Sequence, residues 1–172
     1  MDDALNRGKP LWDQWQNVDE LSQIILKGHL VLEERLTRII GKFVFHAELV
    51  QSAKLRFIQK IEIARSISLD EHENRMWELF KSINELRNQL AHSLDPERRD
   101  LKTQNLRSLY FDICKADPGI DEQKKDDDKV IVSFAITQCF GFLESFEREV
   151  DRFKGIVNEL DKVFNPHRYK QP

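Results

Sequence analysis

Phe80-Lys81-Ser82-Ile83-Asn84-Glu85-Leu86-Arg87-Asn88-Gln89-Leu90-Ala91-His92 is the stretch whose reading decides the fold. With the residues just upstream, its apolar positions are Met76, Leu79, Phe80, Ile83, Leu86, Leu90 and Ala91. They return every three or four residues, so the spacing predicts an amphipathic helix from about Glu73 to His92. Asp95-Pro96-Glu97 follows at once and reads as a restart. It offers a capping carboxylate, a proline at the first helical position and an acid in the first turn. That second helix is expected to reach about Cys114.

Upstream, Asp19 can cap a helix running to about Gly41, with Leu21, Ile24, Ile25, Leu32, Leu36, Ile39 and Ile40 at helical spacing. Gly28 interrupts its pattern, a sign of close helix packing or a bend. Phe43 to Gln51 has little pattern and reads as a connector. Ser52 then stands as an N-cap for a helix over Ala53–Arg65, ended by Ser68-Leu69-Asp70. Asp117-Pro118-Gly119 breaks the chain after Cys114, and the charged run Asp121 to Lys129 reads as a solvated loop. The last helix covers about Lys129 to Phe164, with a bend expected near Gly141. Residues 1–17 read as a loosely held arm, 18–164 as a single helical domain and 165–172 as a frayed tail. Five helices and no convincing strand point to an all-α, antiparallel helical bundle.

Composition agrees and excludes several classes. In 172 residues there are only 6 glycines and 5 prolines, while 33% are charged, a balance that suits a helical globular chain with a real core. The Val130–Leu143 run is too short and too polar to span a bilayer, and Met1-Asp2-Asp3-Ala4 lacks the apolar core of a secretory signal. A cytoplasmic protein without membrane contact is expected. Cys114 and Cys139 are far apart in sequence and read as reduced thiols. No two of the five histidines are three or four apart, and no CxxC, HExxH or glycine-rich loop occurs, so neither a metal nor a cofactor is expected. The net charge of −3 argues against a broad nucleic-acid-coating surface, though not against a site for one phosphate.

Chemistry concentrates in Arg87, Asn88 and His92. Metal-free RNA cleavage needs a base for the 2′-hydroxyl proton, an acid for the 5′ oxygen and positive charge on the phosphorane. Imidazole moves protons near neutral pH, and a guanidinium fork grips a phosphate. Residues five apart on a helix are separated by about 140° and roughly 7.5 Å, so Arg87 and His92 of one chain do not aim at one spot. Asn88 and His92 share a face, which lets the amide orient the ring. Two such helices related by a two-fold would surround one cleft with both sets, and the apolar stripe also invites a partner. A plainer reading pairs Arg87 with Glu85 or Asp95 and leaves His92 as a helix-end residue. Arg98 and Arg99 are either a solvated helix start or holders of flanking phosphates.

The stretch Phe80–His92 resembles the motif helix of the HEPN superfamily (higher eukaryotes and prokaryotes nucleotide-binding domain), whose signature is Arg, a polar residue and a later His. Lys27–Leu36 and Leu55–Ala64 are similar to segments of small bacterial HEPN-like proteins, including relatives of the mannitol operon repressor. The resemblance covers roughly residues 20–160. It implies a dimeric α-bundle with the motif helices at the interface, and a metal-independent endoribonuclease of toxin–antitoxin or antiviral defence systems. Arg87 and His92 would then be catalytic and Asn88 supporting, with RNA as substrate and an antitoxin or defence protein as partner. Leu94 stands where members modified by a nucleotidyltransferase antitoxin carry Tyr, which argues against that regulation. Other branches of the superfamily are non-catalytic regulatory or nucleotide-binding modules, the alternative for this chain.

Overall fold

The computed structural model describes residues 20–69, 71–92, 95–114 and 127–169, with the side chains of His92 and Pro96 also outside the description. The arm 1–17, Asp19, Asp70, Leu94, Asp117-Pro118-Gly119 and most of the acidic loop fall outside these residues. Six α-helices and two 3-10 turns make up the described chain, with no strand among them. The helices are α1 (Glu20–Phe43), α2 (Ala47–Ser52), α3 (Phe57–Ile67), α4 (Met76–His92), α5 (Pro96–Ile113) and α6 (Asp128–Phe164).

Local chemistry explains the boundaries. Asp95 accepts from the backbone N–H of Glu97 and Arg98 at 3.1 and 3.4 Å, so α5 starts where its capping signal stands. Asp127 caps α6 by accepting from Lys129 N–H at 2.9 Å. The α4 start is later than expected, because Glu71–Glu73 form a 3-10 turn and the Asn74 side chain accepts from Met76 N–H at 2.8 Å. Ser52 does not open a helix. Its hydroxyl donates to Leu49 O at 2.9 Å and closes α2, a helix the sequence pattern left as connector. Lys54 then turns left-handed, at φ 49°, and α3 begins at Phe57 with Gln59 Oε1 accepting from Arg56 N–H.

Direction is the larger departure from an antiparallel bundle. Lys129 meets Glu20, Arg38 meets Glu147 and Lys42 meets Asp151, each pair 109 residues apart. A constant separation means that α1 and α6 run parallel and in register, with α2–α5 between them in sequence. The antiparallel expectation holds for α3 with α4, bridged by Glu62–Lys81, and for α4 with α5, bridged by Glu85–Lys102 and by Arg75–Asp112. α1 also packs along α3 and α4, and α6 along α4 and α5.

A carboxylate sits in the α1–α6 seam. Glu147 is 6% exposed. It receives Arg38 at 3.0 Å and Lys42 at 2.7 Å. Arg35 Nε lies 2.6 Å away, though its N–H is not aimed at the oxygen. Burial pushes the Glu147 carboxyl up, but hydrogen bonds from Lys42 and Arg38 and the charge of Arg35 outweigh it and hold it below its usual range. Further along the seam, a Cβ on Gly28 would stand 2.3 Å from Ile136 Cδ1, so a larger residue there would force the Ile136 side chain to move.

The stripe of α4 is covered inside the chain: Leu79, Phe80, Ile83 and Leu86 have no exposed surface. α1, α3, α5 and α6 pack around these residues, while Leu90 is half-buried and Ala91 exposed at the end of the stripe. Trp77, 1% exposed, meets Phe142 edge-on at 4.9 Å and donates its indole N–H to Glu71 O. An 18-residue stretch of α6 is apolar enough to cross a membrane by length and composition. Within that helix Ile131, Val132, Ala135, Cys139 and Leu143 are buried against the bundle. Cys139 is buried and Cys114 half-buried, and neither forms a disulfide. α6 continues through Gly141 without interruption and past the end of α1, leaving Ile156, Leu160, Val163 and Phe164 exposed. The segment read as a frayed tail forms a 3-10 turn at Pro166–Arg168, because Asp161 accepts from Asn165, Arg168 and Tyr169.

Two stability outcomes follow from the seam. Glu147→Gln should lose about 3 kcal/mol in urea unfolding at pH 7, since three cations lose their counter-charge. Because the native carboxyl is held below its usual 4.5, that contribution is complete above pH 4.5 and drains away as pH falls through the lowered native value. Gly28→Ala should lose about 1 kcal/mol despite the better helix propensity of Ala. Combined with Ile136→Ala it should lose clearly less than the sum of the two single changes.

Candidate functional site

Arg87 and Asn88 lie three and four residues after Asn84 and four and three before Ala91, which puts all four on one face of α4. Arg87 is half-buried and Asn88 exposed. The Arg87 Nη1–H donates to Asn88 Oδ1 at 3.1 Å. The Asn88 amide therefore serves the guanidinium, where the sequence had suggested His92. His92 closes α4, and its side chain lies outside the described residues.

The carboxylates that a plain structural reading assigned to Arg87 are engaged elsewhere. Glu85 takes Lys102 at 2.7 Å, and Asp95 takes Arg98 at 3.3 Å while capping α5. Among the described residues, Arg87 forms no ion pair. The antiparallel α4–α5 hairpin sets the first turn of α5, with Arg98 and Arg99, beside the last turn of α4. Arg98 is exposed and tied to Asp95, and Arg99 is half-buried. Gln89, between the two helices, has its Nε2 buried without a partner.

The structure adds a histidine that the motif did not include. His29 of α1 is 6% exposed, with Nε2 at 3.2 Å from Asn84 Oδ1. Its ring lies 4.1 Å from the Phe57 ring of α3. Its Nδ1 faces Glu33 Oε2 at 3.8 Å, and Glu33 is taken by Lys60 at 2.8 Å. Burial pushes the imidazole down. The Asn84 hydrogen bond and the Glu33 charge work upward, Arg87 and Lys60 work downward, and the net shift is down. The neutral ring thus donates Nε2–H to Asn84. A signal for it existed: His29 continues the buried stripe of Ile25, Leu32 and Leu36, where an imidazole must find a polar partner.

No group of three or more metal-ligating side chains occurs among the described residues. The arrangement offers instead one guanidinium without a counter-ion and a closed polar network behind it. No family model matches the chain, and no curated protein or solved structure is significantly similar to it.

The buried imidazole predicts a pH dependence of stability. The unfolded chain takes up the His29 proton near the usual 6.5, and the native state does so only at lower pH. Between those values the unfolded state binds more protons, so stability falls as pH drops below 6.5, by up to about 1.4 kcal/mol per pH unit. Thermal unfolding from pH 7.5 to 5 should show this slope in the wild type and lose most of it in His29→Gln.

Proposed function

We propose that the chain is a metal-independent endoribonuclease in which Arg87 grips the scissile phosphate and His92 moves the proton. The observation that carries this reading is Arg87 itself, a half-buried guanidinium that pairs with no carboxylate among the described residues, near the helix end that His92 closes. A cation kept in that state suits an anion from outside, and a phosphodiester fits its planar fork. The reaction transfers the 2′-hydroxyl proton to a base as O2′ bonds to phosphorus. The P–O5′ bond breaks as O5′ takes up a proton, leaving a 2′,3′-cyclic phosphate and a 5′-hydroxyl. Because Arg87 and His92 stand about 140° apart on one helix, the reading places the His92 of a second copy opposite Arg87. The surface for that contact is the exposed turn of Asn88 and Ala91, since the stripe from Met76 to Leu86 is already buried.

A second reading rests on the same guanidinium together with the net charge of −3. It makes the chain a regulatory module that binds a nucleotide or a single phosphate without cutting. An acidic protein is better suited to a small anion than to a long polyanion.

Expression in bacteria separates the two. The ribonuclease predicts growth arrest and RNA fragments ending in cyclic phosphate with wild type, and a loss of about 10²–10⁴-fold in cleavage for Arg87→Ala and His92→Ala. Intact RNA in all three strains, with folded protein recovered, supports the binding module and ends the ribonuclease reading.

A further inference from the structure

The charge of Arg87 is felt at the His29 ring, yet no carboxylate among the described residues pairs with it. Glu33 is held by Lys60 at 2.8 Å. Between Glu33 and α4 lies His29, whose ring fills the space beside Phe57. Asn84, one turn before Arg87, spends its amide oxygen on His29 Nε2 at 3.2 Å. The groups that separate Glu33 from α4 carry no negative charge, and Glu33 itself is matched by Lys60. An aspartate at position 84 would have the same shape as Asn84 and would stand three residues from Arg87, the spacing of a helical ion pair.

We infer that His29 and Asn84 are positioning residues for Arg87, a neutral hydrogen-bonded pair that anchors its helix face while leaving its charge open to a phosphate. The pair acts through two links. The 3.2 Å hydrogen bond ties α4 to α1 one turn from the guanidinium, fixing the position from which Arg87 reaches outward. The amide also occupies, without charge, the place from which a carboxylate would claim it. Lys60 completes the arrangement by holding Glu33 on the α3 side. The inference rests on the reading of Arg87 as a phosphate-binding group and adds to it what keeps the group available.

Asn84→Asp tests it, because this change preserves the acceptor for His29 and alters only charge. Measurements would cover the thermal midpoint, affinity for a 2′-O-methyl RNA oligonucleotide, and the Arg87 Nε–H resonance in the full-length protein, with His29→Gln and Arg87→Ala alongside. In Asn84→Asp the midpoint should stay level or rise, while affinity falls about tenfold or more, as expected for a lost arginine–phosphate contact, and the Nε–H signal shifts. His29→Gln, which keeps a donor for Asn84, should retain most of the affinity. A purely structural role would move midpoint and affinity together, so wild-type affinity in Asn84→Asp overturns the inference. If wild type binds the oligonucleotide no better than Arg87→Ala, the phosphate reading fails. The resonance then decides the positioning claim by itself: a shift in Asn84→Asp sustains it, and an unmoved signal sinks it.

Discussion

Glu147 is a carboxylate withdrawn from water into the seam between two parallel helices, and it survives there because Arg35, Arg38 and Lys42 of α1 surround it. Parallel helices set like ends of their dipoles side by side, which gives no electrostatic preference for that direction. Apolar packing alone is less exacting about a slip of one turn, since buried apolar side chains recur along both helices. The ionic cluster does not tolerate it, because a slip strands a buried charge at a cost of several kcal/mol. The Gly28–Ile136 contact adds a steric check on the same alignment. Register and direction of α1 against α6 therefore depend on charge, and burial supplies the energy.

The site inherits that alignment. α1 carries His29 on the face opposite the seam, so a shift of α1 would carry the imidazole away from Asn84. The surrounding acids are distributed with similar economy: Glu33 to Lys60, Glu85 to Lys102, Asp95 to Arg98. Among the described residues, Arg87 is left with a neighbouring amide alone. In a chain with 30 acidic and 27 basic side chains, a half-buried arginine would ordinarily find an acid, which gives its solitary state functional weight.

What could be read in advance follows from how local each determinant is. Asp95-Pro96-Glu97 marks the start of α5 because capping is completed within three residues. The α4 stripe was legible because burial imprints its period on the sequence. α2 escaped notice because none of its six residues is buried, so no period was imposed. Ser52 looked like a cap and proved to be a terminator, since a serine hydroxyl can serve either end of a helix. Periodicity carries no direction, which is why the parallel pairing of α1 and α6 was hidden. The freedom of Arg87 and the partnership of His29 depend on residues up to 55 positions away, beyond the reach of any local pattern.

The parallel seam also has a consequence in time. A ribosome releases α1 first and most of α6 last, so Ile25, Leu32 and Ile39 emerge long before the surface that will cover them. The α3–α4 and α4–α5 hairpins, closed by neighbours in sequence, can form while synthesis continues. During that interval Arg35, Arg38 and Lys42 of α1 await Glu147, the acid of α6 that all three will surround. The newborn chain therefore passes through a stage in which the apolar stripe of α1 is open to water, the kind of surface that chaperones guarding emerging polypeptides bind.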